Sequence, residues 1–134
     1  MKTHKLPFLF YLLLAGCFET ESKDPIEAYK LWSHEDPPGN IKVIKGQYWK
    51  SGHWTNEYIV YLKIKAPYSW RNAYIIKNHL VLLKDTMVVK GNQDPDWFNQ
   101  PKNSNVYEKP GFWQGSVYFD DTLSGTLLIH EVQL

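Results

Sequence analysis

The chain has 134 residues, with 15 Lys and Arg side chains against 14 Asp and Glu, for a formal charge of +1. That length suits one domain with one core, and the charge balance lacks the basic excess that phosphate backbones require, which argues against a nucleic-acid partner. A single cysteine excludes an internal disulfide, while aromatic residues at 16% of the chain, six of them tryptophan, argue against a mostly disordered chain.

The chain opens Met1-Lys2-Thr3-His4-Lys5 and runs through Leu6-Pro7-Phe8-Leu9-Phe10-Tyr11-Leu12-Leu13-Leu14 to Ala15-Gly16-Cys17. A basic start, a short apolar core and small residues before a break describe a secretory signal peptide. The core is about half the roughly 20 apolar residues that a spanning helix needs, so it addresses the chain and does not span. The closing Leu14-Ala15-Gly16-Cys17 resembles the bacterial lipobox, Leu-[Ala/Ser]-[Gly/Ala]-Cys, and through it the chain is similar to bacterial lipoproteins. The resemblance covers residues 1–17. It implies that the Cys17 sulfur receives a diacylglycerol, that residues 1–16 are cut away as a signal peptide, and that the mature protein is anchored to a membrane outside the cytoplasm. It also implies an outer-membrane destination in a bacterium with two membranes, because Phe18 stands where the inner-membrane retention signal has aspartate. The rest of the chain resembles small uncharacterised bacterial lipoproteins in general style and no named family. Cleavage removes Lys2 and Lys5 and no acid, so the formal charge falls to −1. With Cys17 committed to lipid, no thiol nucleophile and no cysteine-ligated zinc remain.

Residues 17–25 are polar and charged apart from Phe18 and read as a lipidated flexible tether, followed by one globular domain over residues 26–134. Asp24-Pro25 with Ile26, Tyr29 and Trp32 predicts a short helix or an extended lead-in. Pro37-Pro38-Gly39-Asn40 predicts a loop. Residues 41–50 and 57–65 are rich in branched and aromatic side chains and predict a hairpin turning at Ser51-Gly52-His53, with Tyr58, Val60, Leu62 and Ile64 on the core face. Ser69 as N-cap and the spacing of Trp70, Ala73, Tyr74, Lys77 and Leu80 predict a central helix over residues 70–80.

Residues 81–90 are ambiguous: the first half fits a continuation of the helix, while Thr86 to Val89 reads as a strand. Residues 91–111 read as a long irregular segment, functional or mobile, pinned to the body by Trp97 and Phe98. Residues 112–119 and 126–133 form a second predicted hairpin. Together these give an α+β fold: an antiparallel sheet of four to five strands from two hairpins, with one central helix packed on a face. An all-β sandwich is the alternative.

No zinc-binding histidine pair, phosphate-cradling glycine loop or nucleophile elbow occurs, so no metal, cofactor or catalytic residue is assigned. His53 with Glu57 is too small a set to define a metal site. Asp94 with Asp96 and Asp120 with Asp121 sit in predicted turns, where aspartate most often serves the backbone. What remains is the aromatic inventory, whose rings stack on sugars or take up apolar side chains when exposed. Trp49, Trp54, Trp97 and Trp113 are the first candidates, because they lie beside turns or in the long segment. The sequence therefore favours a non-catalytic domain that contacts an envelope protein or a glycan. The alternative is a small envelope hydrolase using Asp94, Asp96 or Asp120 with His53 or His130, which requires a cavity where a carboxylate and a histidine converge.

Overall fold

The computed structural model describes residues 18–84, 86–111 and 114–134. In chain order these form β1 (Thr20–Ser22), α1 (Pro25–Ser33), β2 (Lys42–Lys50), β3 (Tyr58–Lys65), α2 (Tyr68–Lys77), β4 (Val81–Leu83), β5 (Ser104–Glu108), β6 (Val117–Asp121) and β7 (Thr126–Gln133). Among the described residues all the strands join one antiparallel sheet, in the order β1-β2-β3-β7-β6-β5-β4. The two predicted hairpins, β2–β3 and β6–β7, sit side by side through pairing of β3 with β7, from Tyr58 against Gln133 to Lys65 against Thr126.

Seven strands exceed the four to five expected, and the single sheet removes the sandwich alternative. The additions are the short strands β1, at one edge, and β5 and β4, at the other end of the order, with β4 outermost. Thr-Glu-Ser and Ser-Asn-Val-Tyr-Glu carry little apolar alternation and are recruited by pairing to an existing edge. One lies inside the expected tether: Thr20–Ser22 pair with Tyr48–Lys50, and Asp24 caps α1. Phe18 and Glu19 are thus all of the described chain that precedes the sheet. Another, β5, interrupts the expected irregular segment. Thr86 to Val89, expected as a strand, is irregular, because the Gln100 side chain satisfies its backbone in place of a partner strand. Gln100 Oε1 accepts from Val88 N–H at 2.9 Å, and Gln100 Nε2 donates to Thr86 O at 3.2 Å.

Helix α1 forms where Asp24 Oδ1 accepts the Glu27 N–H at 2.8 Å and Pro25 opens the first turn. It stops at His34, whose φ of 61° is left-handed. Helix α2 starts two residues earlier than expected and without a side-chain cap. Pro67 precedes it and Ser69 lies inside the first turn. His79, at φ 55°, turns the chain into β4.

Both helices pack on one face of the sheet. Ala28 and Tyr29 meet Val43, Tyr48, Val60, Leu62, Ile64, Leu127 and Ile129 there, so the predicted core face of β3 is the helix-covered one. Close approach of α1 depends on Gly46. A Cβ at that position would lie 2.9 Å from Ala28 Cβ and 2.9 Å from Pro25 Cα. The opposite face is covered by the segment between β4 and β5, which drives Phe98 against Tyr61, Val106, Phe119 and Leu128. Trp97 packs edge-on to Phe98. With both faces covered, β7 is buried along most of its length, as its continuous Leu127-Leu128-Ile129 run implies.

The chain's single arginine locks α2 to the sheet. Arg71 Nε meets Asp120 Oδ1 at 2.7 Å and Nη1 donates to Ala66 O at 2.6 Å, with the two charged side chains only 4% and 5% exposed. Gly125, at φ 71°, leaves room beside the guanidinium, since a Cβ there would come within 3.4 Å of Nη1.

Candidate functional site

Strand parity places one carboxylate among the apolar residues of β7. Glu131 shares the helix-covered face with Leu127 and Ile129, pairs with Val60, and is only 6% exposed. A buried carboxylate needs donors, and three aromatic side chains supply them. Glu131 Oε1 accepts from Trp32 Nε1 of α1 at 3.2 Å and from the Tyr58 hydroxyl of β3, while Oε2 accepts from the Tyr118 hydroxyl of β6 at 2.7 Å. Burial first, and the Glu131 charge with it, pushes the Tyr58 and Tyr118 hydroxyls well above the usual tyrosine range, so both stay protonated donors at neutral pH.

Glu131 forms the floor of a cleft of about 480 Å³ between α1, α2 and the sheet. Its walls are a run of rings. Tyr29 meets Trp32 edge-on at 5.7 Å, Trp32 meets Tyr74 at 6.0 Å, and Trp70 stacks on Tyr74 one helical turn away at 5.7 Å. Ser33, Glu35, Lys77 and Asn78 make a polar rim. The Tyr74 hydroxyl is buried and makes no hydrogen bond of good geometry; the nearby Tyr118 hydroxyl is committed to Glu131. Burial raises the Tyr74 hydroxyl well above its ordinary range, so it too remains protonated. A buried hydroxyl without a partner costs about 1–3 kcal/mol. A carboxylate has about four acceptor positions, of which three are filled here, so Glu131 keeps one further acceptor position between aromatic walls.

The opposite face has a second cavity, of about 460 Å³, lined by both Asp94 and His130. Asp94 is engaged on both oxygens, Oδ1 by the Tyr61 hydroxyl at 2.9 Å and Oδ2 by Gly91 N–H at 2.7 Å. The Tyr61 ring stacks on the His130 imidazole at 4.2 Å. Burial holds His130 below its ordinary pKa despite the nearby Asp94 charge. The other hydrolase candidates lie apart. Asp120 is bound to Arg71, His53 is exposed in the β2–β3 turn, and Asp96 is exposed in the covering segment.

The described aromatic candidates, Trp49, Trp54 and Trp97, lie outside the main cleft. Trp54 is fully exposed in the β2–β3 turn. Trp49 donates from Nε1 to Glu19 and helps line a third cavity with Tyr61 and Gln93, while Trp97 is held against Phe98. Among the described residues no ring contact joins these three. Trp113 and Cys17 lie outside the described residues.

Sequence reasoning passed over Glu131, Trp32, Trp70 and Tyr74. The signal that marks Glu131 is a lone carboxylate on the inward parity of an otherwise apolar strand. Nothing local in the sequence shows that Trp32 and Tyr74, on different helices, converge above it. Among the described residues no three His, Asp or Glu side chains come together in a way that would hold a metal ion, and no helix is long and apolar enough to cross a membrane. No family model, no curated protein and no solved structure gives a significant match to the chain.

Proposed function

We propose that the protein is a bacterial lipoprotein, held at the cell envelope through acylated Cys17, whose folded domain binds an envelope glycan in the cleft above Glu131 without transforming it. The observation that carries the binding reading is the composition of that cleft. Glu131 is an acceptor fixed by three aromatic donors with one position open, and Trp32, Tyr74 and Trp70 line the walls above it. A sugar ring offers what such a site lacks: hydroxyl donors for the open position on Glu131 and C–H faces for the rings. The cleft volume is within the range of small-molecule sites. Titration calorimetry with β-1,4-linked N-acetylglucosamine oligomers tests it. The mature protein binds them, and Glu131→Gln weakens binding about tenfold or more, as loss of a hydrogen bond to a charged group does. Absence of heat with every oligomer, or full affinity in Glu131→Gln, overturns the reading.

The anchor rests on the lipobox alone. Cys17→Ser should leave the chain uncut or soluble and abolish metabolic labelling by an alkyne fatty acid; unchanged labelling overturns it. The hydrolase reading retains one supporting observation, the shared cavity of Asp94 and His130. It predicts release of a reducing end from the same oligomers that is lost in His130→Gln and kept in Glu131→Gln.

A further inference from the structure

The sheet has two ends with different surfaces. Thr20 pairs with Lys50, Lys50 with Tyr58 and Tyr58 with Gln133, which sets the start of β1, the β2–β3 turn and Leu134 side by side at one end. The β6–β7 turn lies at the other end, beyond Thr126 and Lys65. The eight residues of β3 place the two ends about 27 Å apart. At the first end the apolar side chains are bare: Trp54 is 100% exposed, Phe18 85% and Leu134 62%. The turn that presents Trp54 is itself held. Ser51 N–H donates to Glu57 O at 3.0 Å and His53 N–H donates to Ser51 Oγ at 3.1 Å. A fixed turn therefore displays an indole to the outside.

The covalent path from the anchor ends at the same place. Cys17 stands three residues before Thr20, the first residue paired into the sheet, a span of at most about 11 Å. The headgroup layer on each side of a bilayer is roughly 5–7 Å thick. Even fully extended, that span carries the first paired residue only about 4–6 Å beyond the headgroup layer, so a lipid on Cys17 keeps this end of the sheet against the membrane surface, within reach of the exposed Trp54 and Phe18 side chains. Tryptophan is the side chain that settles at that depth. Glu19 and Glu57 outnumber Lys50 here, so attraction to anionic lipid is not the source of contact.

We propose that the Trp54 end of the sheet rests in the headgroup layer of the bilayer that carries the Cys17 lipid, with Trp54 and Phe18 as the inserted side chains. The proposal rests on acylation of Cys17. It fixes the orientation of the domain, with the β6–β7 turn farthest from the membrane.

The test uses the mature lipidated chain in phosphatidylcholine vesicles. Because Cys17 is the only cysteine and is blocked when acylated, Thr55→Cys and Thr122→Cys, both at exposed positions, each offer one thiol for a nitroxide. The label at position 55 loses most of its collisions with a water-soluble nickel chelate and gains them with oxygen, while the label at position 122 remains fully accessible to nickel. Adding Trp54→Ser to Thr55→Cys restores access to nickel at position 55. Equal nickel access at the two positions, with the unsubstituted chain refusing the label, leaves the anchor standing and overturns the docking. Uptake of label by the unsubstituted chain means that Cys17 is free, which overturns both.

Discussion

Removing the Arg71 guanidinium should cost the domain a large part of its stability. Arg71→Ala leaves the Asp120 carboxylate, 5% exposed and 2.7 Å from its present partner, without a compensating charge. Breaking a buried pair from one side costs about 3–5 kcal/mol. Loss of the 2.6 Å bond to Ala66 O adds to this, by about 1 kcal/mol. A domain of this size holds roughly 5–15 kcal/mol in total, and with a urea slope of about 2 kcal/mol/M the midpoint should fall by about 2 M. The assay is urea unfolding followed by tryptophan fluorescence, with Arg71→Met/Asp120→Leu as the comparison. That double variant removes both charges and fills the space, so it should recover most of the loss. A cost below about 1 kcal/mol for Arg71→Ala, or a double variant no more stable than the single one, would refute the reasoning that α2 is locked to β6 through this pair.

Gly46→Ala should destabilise by about 1–3 kcal/mol in the same assay, because the new methyl meets the Pro25 backbone and α1 must shift. Stability should fall in strong alkali. Tyr58, Tyr61, Tyr74 and Tyr118 are all held above the usual range, chiefly by burial. The unfolded chain therefore loses protons above about pH 10 that the folded chain keeps, and this contribution is intact below pH 10 and lost as pH rises beyond it. Absorbance at 295 nm should show these hydroxyls ionising only with unfolding. His130 runs the other way. Its depressed pKa, caused by burial, means that the unfolded chain binds the proton first, so stability is intact above about pH 6.5 and falls as pH drops through that value toward the folded pKa. His130→Phe should flatten this acid limb in urea unfolding measured between pH 7 and pH 4.

The sequence announced the parts of the fold that depend on strong local pattern. Tyr58, Val60, Leu62 and Ile64 alternate cleanly and occupy the helix-covered face, and Asp24-Pro25 marks the start of α1. Phe98 pins the long covering segment against Tyr61 as its size and position suggested. The short outer strands were not legible, since Thr20–Ser22 and Ser104–Glu108 take their conformation from neighbours distant in sequence. Asp120 read as a turn residue because Gly125 and Asp121 follow closely, yet the Asp121 side chain is the one that bonds Leu123 and Ser124 N–H in the turn. The cleft was hidden for a related reason: Trp32, Tyr74, Tyr118 and Glu131 come from four separate elements, and only the crossing of helices over sheet brings them together.

The central claim is that a glycan enters between Trp32, Tyr74 and Trp70 and bonds Glu131. Indole N–H resonances of the mature protein, assigned by single Trp→Phe substitutions and followed during addition of N-acetylglucosamine oligomers, test it most directly. The account predicts that the Trp32 and Trp70 signals move together and saturably while those of Trp54 and Trp97 stay in place. Movement confined to Trp54 or Trp97, or no movement at saturating oligomer, would contradict it.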